Sequence, residues 1–242
     1  MNHSSKIGEI IACAPSAIAV FEQFGIDCYR MASRPLHEFC SGRGVSSQSL
    51  LDRVKDAEAA ASADRLQRSW GELPLSSLIE HIVQCHHQFA RDILSEMHHR
   101  TAGLCERHRR TQPEIAKLQT HLRLLERELT MHLRKEEETV FPHIRALEDG
   151  PQSEPSTSIF FASVRRPVGA LMSVMADEHD LTDKLLERLR EASLNLDVLQ
   201  VSFGNFPELV QSLKRDLLVH SCLEDFILFP RAGVLEESQC AP

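Results

Sequence analysis

Residues 115–142 read IAKLQTHLRLLERELTMHLRKEEETVFP, and this stretch decides the fold. Its apolar residues recur at alternating spacings of three and four, the pattern of a helix that buries one stripe. The stripe continues through His132 and Glu136 to Val140. A histidine and a glutamate therefore occupy positions where the period demands a core residue.

The same string occurs once more, near the carboxyl end of the chain. His132-x-x-x-Glu136-x-x-x-x-Phe141-Pro142 is matched by a second copy with the same spacing, His220-x-x-x-Glu224-x-x-x-x-Phe229-Pro230. Residues four apart differ by only about 40° around a helix, so each His and Glu can reach one inner point. Each copy predicts two metal ligands, followed by a proline that ends its helix.

Two other segments carry the helical stripe. One runs from Leu75 to about His99, and the other begins at Pro167 and has His179 in its inward row. No alternating apolar pattern typical of a strand competes with these segments. We therefore predict an all-α protein whose larger part is an antiparallel four-helix bundle, a fold that builds metal sites in its interior.

A smaller region precedes the bundle. The polar, Ala- and Ser-rich sequence over 56–69 has no apolar stripe and is typical of a linker or a solvated helix end. We predict a small helical module over 1–58, a linker over 59–73 and the bundle over 74–236.

Composition excludes several classes of protein. The net charge of −8 gives no general attraction to phosphate backbones or anionic lipid. We therefore expect no nucleic-acid or membrane partner. Seven cysteines, an odd number without a CxxC spacing, favour reduced thiols. The first ten residues lack the features of a secretory signal, so we expect a cytoplasmic protein.

Thirteen histidines make a metal site the leading hypothesis. Imidazole and carboxylate without inward cysteine favour iron, manganese or zinc, and two glutamates able to bridge suit a pair of metals. Because the order is His-x-x-x-Glu, unlike the Glu-x-x-His of ferritin-like bundles, a hemerythrin-like di-iron site is favoured. In the helix from Leu75 to about His99, the apolar stripe does not determine whether His86 or His87 is the ligand. A single inward histidine is more often a hydrogen-bonded core residue, but a layer with two glutamates would need partners for both.

Several segments together resemble the RIC (repair of iron centres) family of di-iron proteins. They are LIEHIVQCHHQFARDIL, CERH ending at His108, ELTMHLRKEEETVFP, SVMADEHD, HSCLEDFILFPRA and, near the start, FEQFGIDC. The resemblance implies two non-haem iron ions, oxo- and carboxylate-bridged, and a ScdA_N-like module at 1–58. It selects His87 over His86 and implies a metal-ligand set of His87, His108, His132, Glu136, His179, His220 and Glu224. Glu128 and Glu178 also match family positions near the site.

The resemblance further implies a cytoplasmic stress-response protein that restores damaged iron-sulfur clusters, by donating iron or by binding nitric oxide. Its partners would be damaged iron-sulfur proteins, with NO or O₂ as small ligands; the oligomeric state is left open. The family's amino-terminal module carries a vicinal cysteine pair, whereas this chain has Cys28 followed by Tyr29. Alternatives are an O₂- or NO-binding sensor and an NO-reducing enzyme. The latter needs an electron source that the sequence does not display, so no enzymatic activity is assigned.

Overall fold

The structure, a computed structural model, describes most of the chain. The described residues are 1–41, 43–61, 70–108, 113–150, 167–194 and 206–240, and for 61, 103–108, 113 and 240 only the backbone is described. They divide into two compact units: a first unit of Met1–Ile79 with Leu218–Pro242, and a second unit of Glu80–Leu217. The predicted linker 59–73 falls partly on residues outside the description, and the predicted boundaries 1–58 and 74–236 stay a prediction.

Both units are helical. Over the described residues the extended pairing is limited to one isolated bridge, between Lys6 and Pro35. The predicted all-α class is confirmed. In the described part of the chain, no helix has the length and hydropathy that a membrane span requires.

The first unit begins with five helices. They are α1 (Ile7–Cys13), α2 (Ala17–Gln23), α3 (Cys28–Met31), α4 (Leu36–Cys40) and α5 (Ser47–Ala61). Helix α1 packs on α2 and α3, and α5 packs on α2 and α4. Their shared core contains fully buried Ile10, Phe21 and Leu50. Gly25 adopts a φ of 72° just after α2, a conformation that glycine takes without steric cost, and so allows the chain to turn.

The remaining helices carry the stripes predicted from sequence. They are α6 (Leu75–His81), α7 (Gln88–His108), α8 (Pro113–Lys135), α9 (Phe141–Asp149), α10 (Val168–Leu194), α11 (Phe206–Leu223) and α12 (Phe229–Cys240). In the second unit, α7, α8, α10 and α11 contribute to one buried apolar cluster that includes Leu94, Leu125, Leu186 and Leu213.

Helices α7 and α8 of this cluster run in opposite directions. Arg91 near the start of α7 pairs with Glu137, just beyond the end of α8, at 2.7 Å. Further along α7, His98 pairs with Glu126, which lies earlier in α8, at 2.8 Å. The antiparallel arrangement expected of a bundle with a short connection is therefore present in this helix pair.

Within the described residues, three π-helical turns interrupt these helices. They span Ile82–His87, Glu136–Val140 and Glu224–Leu228. The prediction that Pro142 and Pro230 end their helices is wrong, because each is the second residue of a helix that continues, α9 or α12. A proline lacks the N–H that an α-helix donates four residues back, and the preceding π turn already breaks that ladder. π turns of this kind are rare in proteins as a whole, and those that do occur are often found at functional sites.

Candidate metal centre

The three π turns carry predicted ligands. His87 is the last residue of the first turn, Glu136 begins the second and Glu224 begins the third. All three are fully buried, at 0% exposure. The other described candidates lie in α8 (His132), α10 (His179) and α11 (His220). His132 and His220 are also buried, and the side chain of His179 is 12% exposed.

Glu136 is the centre of a cluster within the second unit. Its Oε1 lies 2.8 Å from Nε2 of His132 and 4.0 Å from Nε2 of His179. Its Oε2 lies 3.3 Å from Nε2 of His87. One ligand atom each of His132, Glu136 and His179 lie within 4.8 Å of one another. Two helices, α8 and α10, and the π turn that ends at His87 therefore direct imidazole nitrogens at one buried carboxylate.

The far side of the His132 ring is held by an acidic residue. Nδ1 of His132 donates to Oε2 of Glu178 at 2.9 Å, and Glu178 in turn pairs with Lys135. Because a carboxylate only accepts, this hydrogen bond keeps a proton on Nδ1. When the ring gives up its second proton to bind a metal, the lone pair is therefore on Nε2, the atom that faces Glu136.

His87 is held in the same way from a different helix. Its Nδ1 donates to Oε1 of Glu137 at 2.6 Å, and the same oxygen accepts from Arg91 at 2.7 Å. The ring also stacks on Phe141, with 5.6 Å between centroids. Carboxylates that fix the tautomer and direction of an imidazole in this way are characteristic of metal-binding histidines.

The electrostatics of this cluster favour charged groups. Burial lowers the pKa of His132, but the Glu136 carboxylate and the hydrogen bonds to Glu136 and Glu178 outweigh it and raise the pKa to about 9. Burial alone would raise the pKa of Glu137, yet hydrogen bonds from His87 and Arg91 lower it. The hydrogen bond from His132 lowers the pKa of Glu178. The outer carboxylates are therefore ionised at neutral pH.

The second copy of the string lies in the first unit. Nε2 of His220 is 3.2 Å from Oε1 of Glu224, one helical turn further on. The spacing of four places both groups on one face, as the sequence predicts. Both side chains are buried, at 1% and 0% exposure.

The structure separates the adjacent histidines that the sequence could not. His87 faces Glu136, whereas Nδ1 of His86 lies 2.9 Å from Oδ1 of Asp216. The His86 ring also meets His81 edge-on, with 5.4 Å between centroids. A π turn brings residues five apart onto one face, which places His81 and His86 together.

The donor set fits a pair of iron ions. Imidazole and carboxylate ligands suit iron, and both carboxylates are buried, where an ionised group needs a cationic partner. Cys222, two residues before Glu224, does not change this assignment. Burial raises the pKa of its thiol well above its usual value, so it stays protonated rather than becoming a thiolate ligand.

Sequence reasoning reached some outer residues and missed others. Glu178 lies against His132 as the resemblance implies, whereas Glu128 pairs with Arg127 at 2.5 Å. Glu137 and Arg91 were not identified, and the signal available for Glu137 was only its place beside Glu136. The side chain of His108 lies outside the described residues.

The comparisons with known proteins agree with this geometry. Residues 77–232 match the hemerythrin HHE cation-binding domain. The chain is 30% identical over 237 residues to the iron-sulfur cluster repair protein YtfE of Cronobacter sakazakii, covering 93% of this chain and 95% of that protein. It is 28% identical over 241 residues to the proteins of the same name from Escherichia coli O17:K52:H18 and Shigella boydii serotype 4, with the same coverage.

The matched domain spans more than half of the chain, which makes this a hemerythrin-type cation-binding protein. The likeness to the repair proteins extends over nearly the whole chain, module and bundle alike. The chain belongs to the RIC (repair of iron centres) family.

Proposed function

We propose that this protein repairs iron-sulfur clusters damaged by nitrosative or oxidative stress and that it does so by donating iron. The observation that carries the proposal is the environment of Glu136. Imidazole nitrogens face both of its oxygens, and two of those rings are oriented by outer carboxylates. This is the arrangement by which proteins prepare histidines for a metal. The named function of the relatives supports the same conclusion.

The proposed ligands of two iron ions are the sequence-predicted set. They are His87, His108, His132, Glu136, His179, His220 and Glu224. His108 is included on the family resemblance alone. For the other six, support comes from the burial and the distances described above.

Each group of the chain has a defined part in holding iron for release. Bound iron would supply the metal that a damaged cluster has lost and would be able to bind NO or O₂. Glu136 and Glu224, each fully buried, would offset the positive charge of the ions that they help to hold. Glu137 and Glu178 hold Nδ1 of His87 and of His132, so that Nε2 is the nitrogen that would coordinate a metal. Lys135 pairs with Glu178, and Arg91 pairs with Glu137. These partly exposed cations help to keep the two outer carboxylates ionised.

Iron transfer to a damaged cluster tests the proposal. A purified [4Fe-4S] hydro-lyase is inactivated with nitric oxide and mixed, under anaerobic conditions, with the protein loaded with ⁵⁷Fe. Hydro-lyase activity should return, and the ⁵⁷Fe should appear in its cluster by Mössbauer spectroscopy. Metal-free protein and the Glu136→Gln variant should give no recovery, whereas the exposed Glu138→Gln control should match the unaltered chain. Recovery that is equal with metal-free protein would refute iron donation.

A sensor is the second candidate, and one feature of the sequence favours it. The family's vicinal cysteine pair is absent because Tyr29 follows Cys28. If the protein is a sensor, adding NO should change the absorption spectrum of the iron-loaded protein. The same protein should not restore the activity of the hydro-lyase. Steady consumption of NO with an added reductant would instead indicate an NO-reducing enzyme.

Location and partners form part of the proposal. A cytoplasmic protein that acts on damaged iron-sulfur proteins agrees with the named function of the relatives. The net charge of −8 supports protein partners over nucleic acid or anionic membrane surfaces.

A further inference from the structure

An unusually close contact in the first unit involves Gly8 of α1. A Cβ at this position would lie 2.0 Å from Cε2 of Phe226 and 2.6 Å from Cδ2 and Cζ of the same ring. Ordinary contact between carbon atoms is about 3.5–4.0 Å. The ring therefore lies directly on the backbone of α1, in space that any side chain at position 8 would occupy.

The contact belongs to a wider packing of α1. Phe226 is the third residue of the π turn Glu224–Leu228, and α1 packs on that turn. Nζ of Lys6, the residue before α1, lies 5.8 Å from the centroid of the Phe226 ring, within cation–π range. The start of α1 therefore contacts the ring with its backbone and with a cation.

The turn that α1 contacts begins with a proposed iron ligand. Glu224 is two residues before Phe226, and its fully buried carboxylate lies 3.2 Å from His220. Within a turn of five residues, a shift of the backbone at Phe226 moves the backbone at Glu224 as well. π turns are rare conformations, which persist where the surrounding packing holds them.

We propose that helix α1 is a positioning element of the metal centre. Gly8 allows the Phe226 ring to close on α1, and this contact sets the π turn that directs Glu224. The inference rests on the proposed role of Glu224 as an iron ligand and extends it to the amino-terminal module. It gives the module a task that does not depend on the vicinal cysteine pair missing from this chain.

The test compares two glycine substitutions in the full-length protein. Gly8→Ala inserts a Cβ into the ring, whereas Gly233→Ala in α12 is the matched control because its Cβ would have no atom within 4 Å. Iron per chain is measured by elemental analysis, and iron loss is followed as transfer to a colorimetric chelator. We expect iron loss from Gly8→Ala to be about tenfold faster, the scale seen when groups that orient ligands are altered. Gly233→Ala should behave as the unaltered chain does.

A compensating substitution separates positioning from general damage. Replacing Phe226 by the shorter leucine in the Gly8→Ala chain opens the space that the new methyl group needs. We expect the double variant to regain slow iron loss and the absorption spectrum of the unaltered iron centre. An unchanged rate of iron loss in Gly8→Ala, or fast loss that Phe226→Leu does not correct, would overturn the inference.

A third variant distinguishes failure of the inference from failure of the proposed function. Glu224→Gln removes the charge of the proposed ligand and should lose iron even with Gly8 intact. If Glu224→Gln loses iron while Gly8→Ala does not, only the positioning role of α1 is refuted. If Glu224→Gln keeps its full iron content, the proposed ligand set is refuted, and the role of α1 with it.

Discussion

The two copies of His-x-x-x-Glu are alike in sequence and are supported differently in the structure. The first copy is surrounded by charged groups: His132 donates to Glu178, and Glu137, beside Glu136, accepts from His87 and Arg91. In the turn of the second copy, the contact described above is apolar, with the Phe226 ring on the backbone of Gly8. A spacing of ligand residues therefore predicts the ligands without predicting what holds them.

One pair of equivalent positions shows the difference most clearly. Two residues after the first glutamate is Glu138, whose side chain is 60% exposed and pairs with Arg134. Two residues after the second glutamate is Phe226, which packs on α1. The first π turn of the pair thus presents this position to solvent, and the second uses it as an apolar contact.

The largest effect is expected at Glu136, the carboxylate that His87 and His132 face. Glu136→Ala removes the group that faces His87, His132 and His179, so the affinity for iron should fall by more than about 100-fold, beyond the effect of outer partners. Iron per chain after equilibrium with a chelator measures it. Glu138→Ala is the control in the same turn, and equal iron in both variants would contradict the assignment.

The next effect separates two neighbouring histidines. His87→Gln should lose iron because its Nε2 faces Glu136, whereas His86→Gln should keep it because His86 lies against Asp216. Elemental analysis of both purified variants decides between them. Loss of iron from His86→Gln alone would reverse the assignment that the structure supports.

An intermediate effect is expected from the partner of His87. Glu137→Gln keeps the size of the side chain but weakens the hydrogen bond that fixes the ring, so the affinity for iron should fall about 10- to 100-fold. Competition with a chelator of known affinity gives the value, and Glu138→Gln serves as the adjacent control. An affinity for iron unchanged in Glu137→Gln would show that the charged support of the first copy is dispensable.

The smallest effect is expected from the outermost cations. The side chains of Arg91 and Lys135 are 44% and 39% exposed, and ion pairs at such positions contribute at most about 1 kcal/mol. Arg91→Met and Lys135→Met should therefore change the affinity for iron by less than about fivefold. This difference should shrink further at high salt. A larger, salt-independent loss would show that these cations act as part of the buried layer.

Much of the fold could be predicted because the helical stripes are long and regular. The inward positions of His132, Glu136, His220 and Glu224 follow from periodicity alone, and the described side chains are buried as expected. Burial of a carboxylate in an apolar stripe is costly without a partner, so the sequence indicates a cation as well as a helix.

The outer partners do not follow from periodicity, because they depend on contacts between residues far apart in the chain, and Glu178 is reached only through the family resemblance. Glu137 meets His87 across 50 positions and Glu178 meets His132 across 46. Both glutamates are partly exposed, so no stripe distinguishes them from ordinary solvated residues. The contact of Gly8 could not be predicted from sequence either, because it is seen only when the Phe226 ring is placed on α1.

The π turns also explain why the stripe could not choose between His86 and His87. A turn with one additional residue advances every later side chain by about 100° relative to an unbroken α-helix. Such a helix has two phases, one on each side of the turn, and Val140, Phe141 and Ile144 are buried in the second phase after Glu136. Deleting a single residue there would merge the phases and rotate Phe141 and everything beyond it away from its present neighbours. The length of these turns is thus as much a part of the encoded structure as the identity of the ligands.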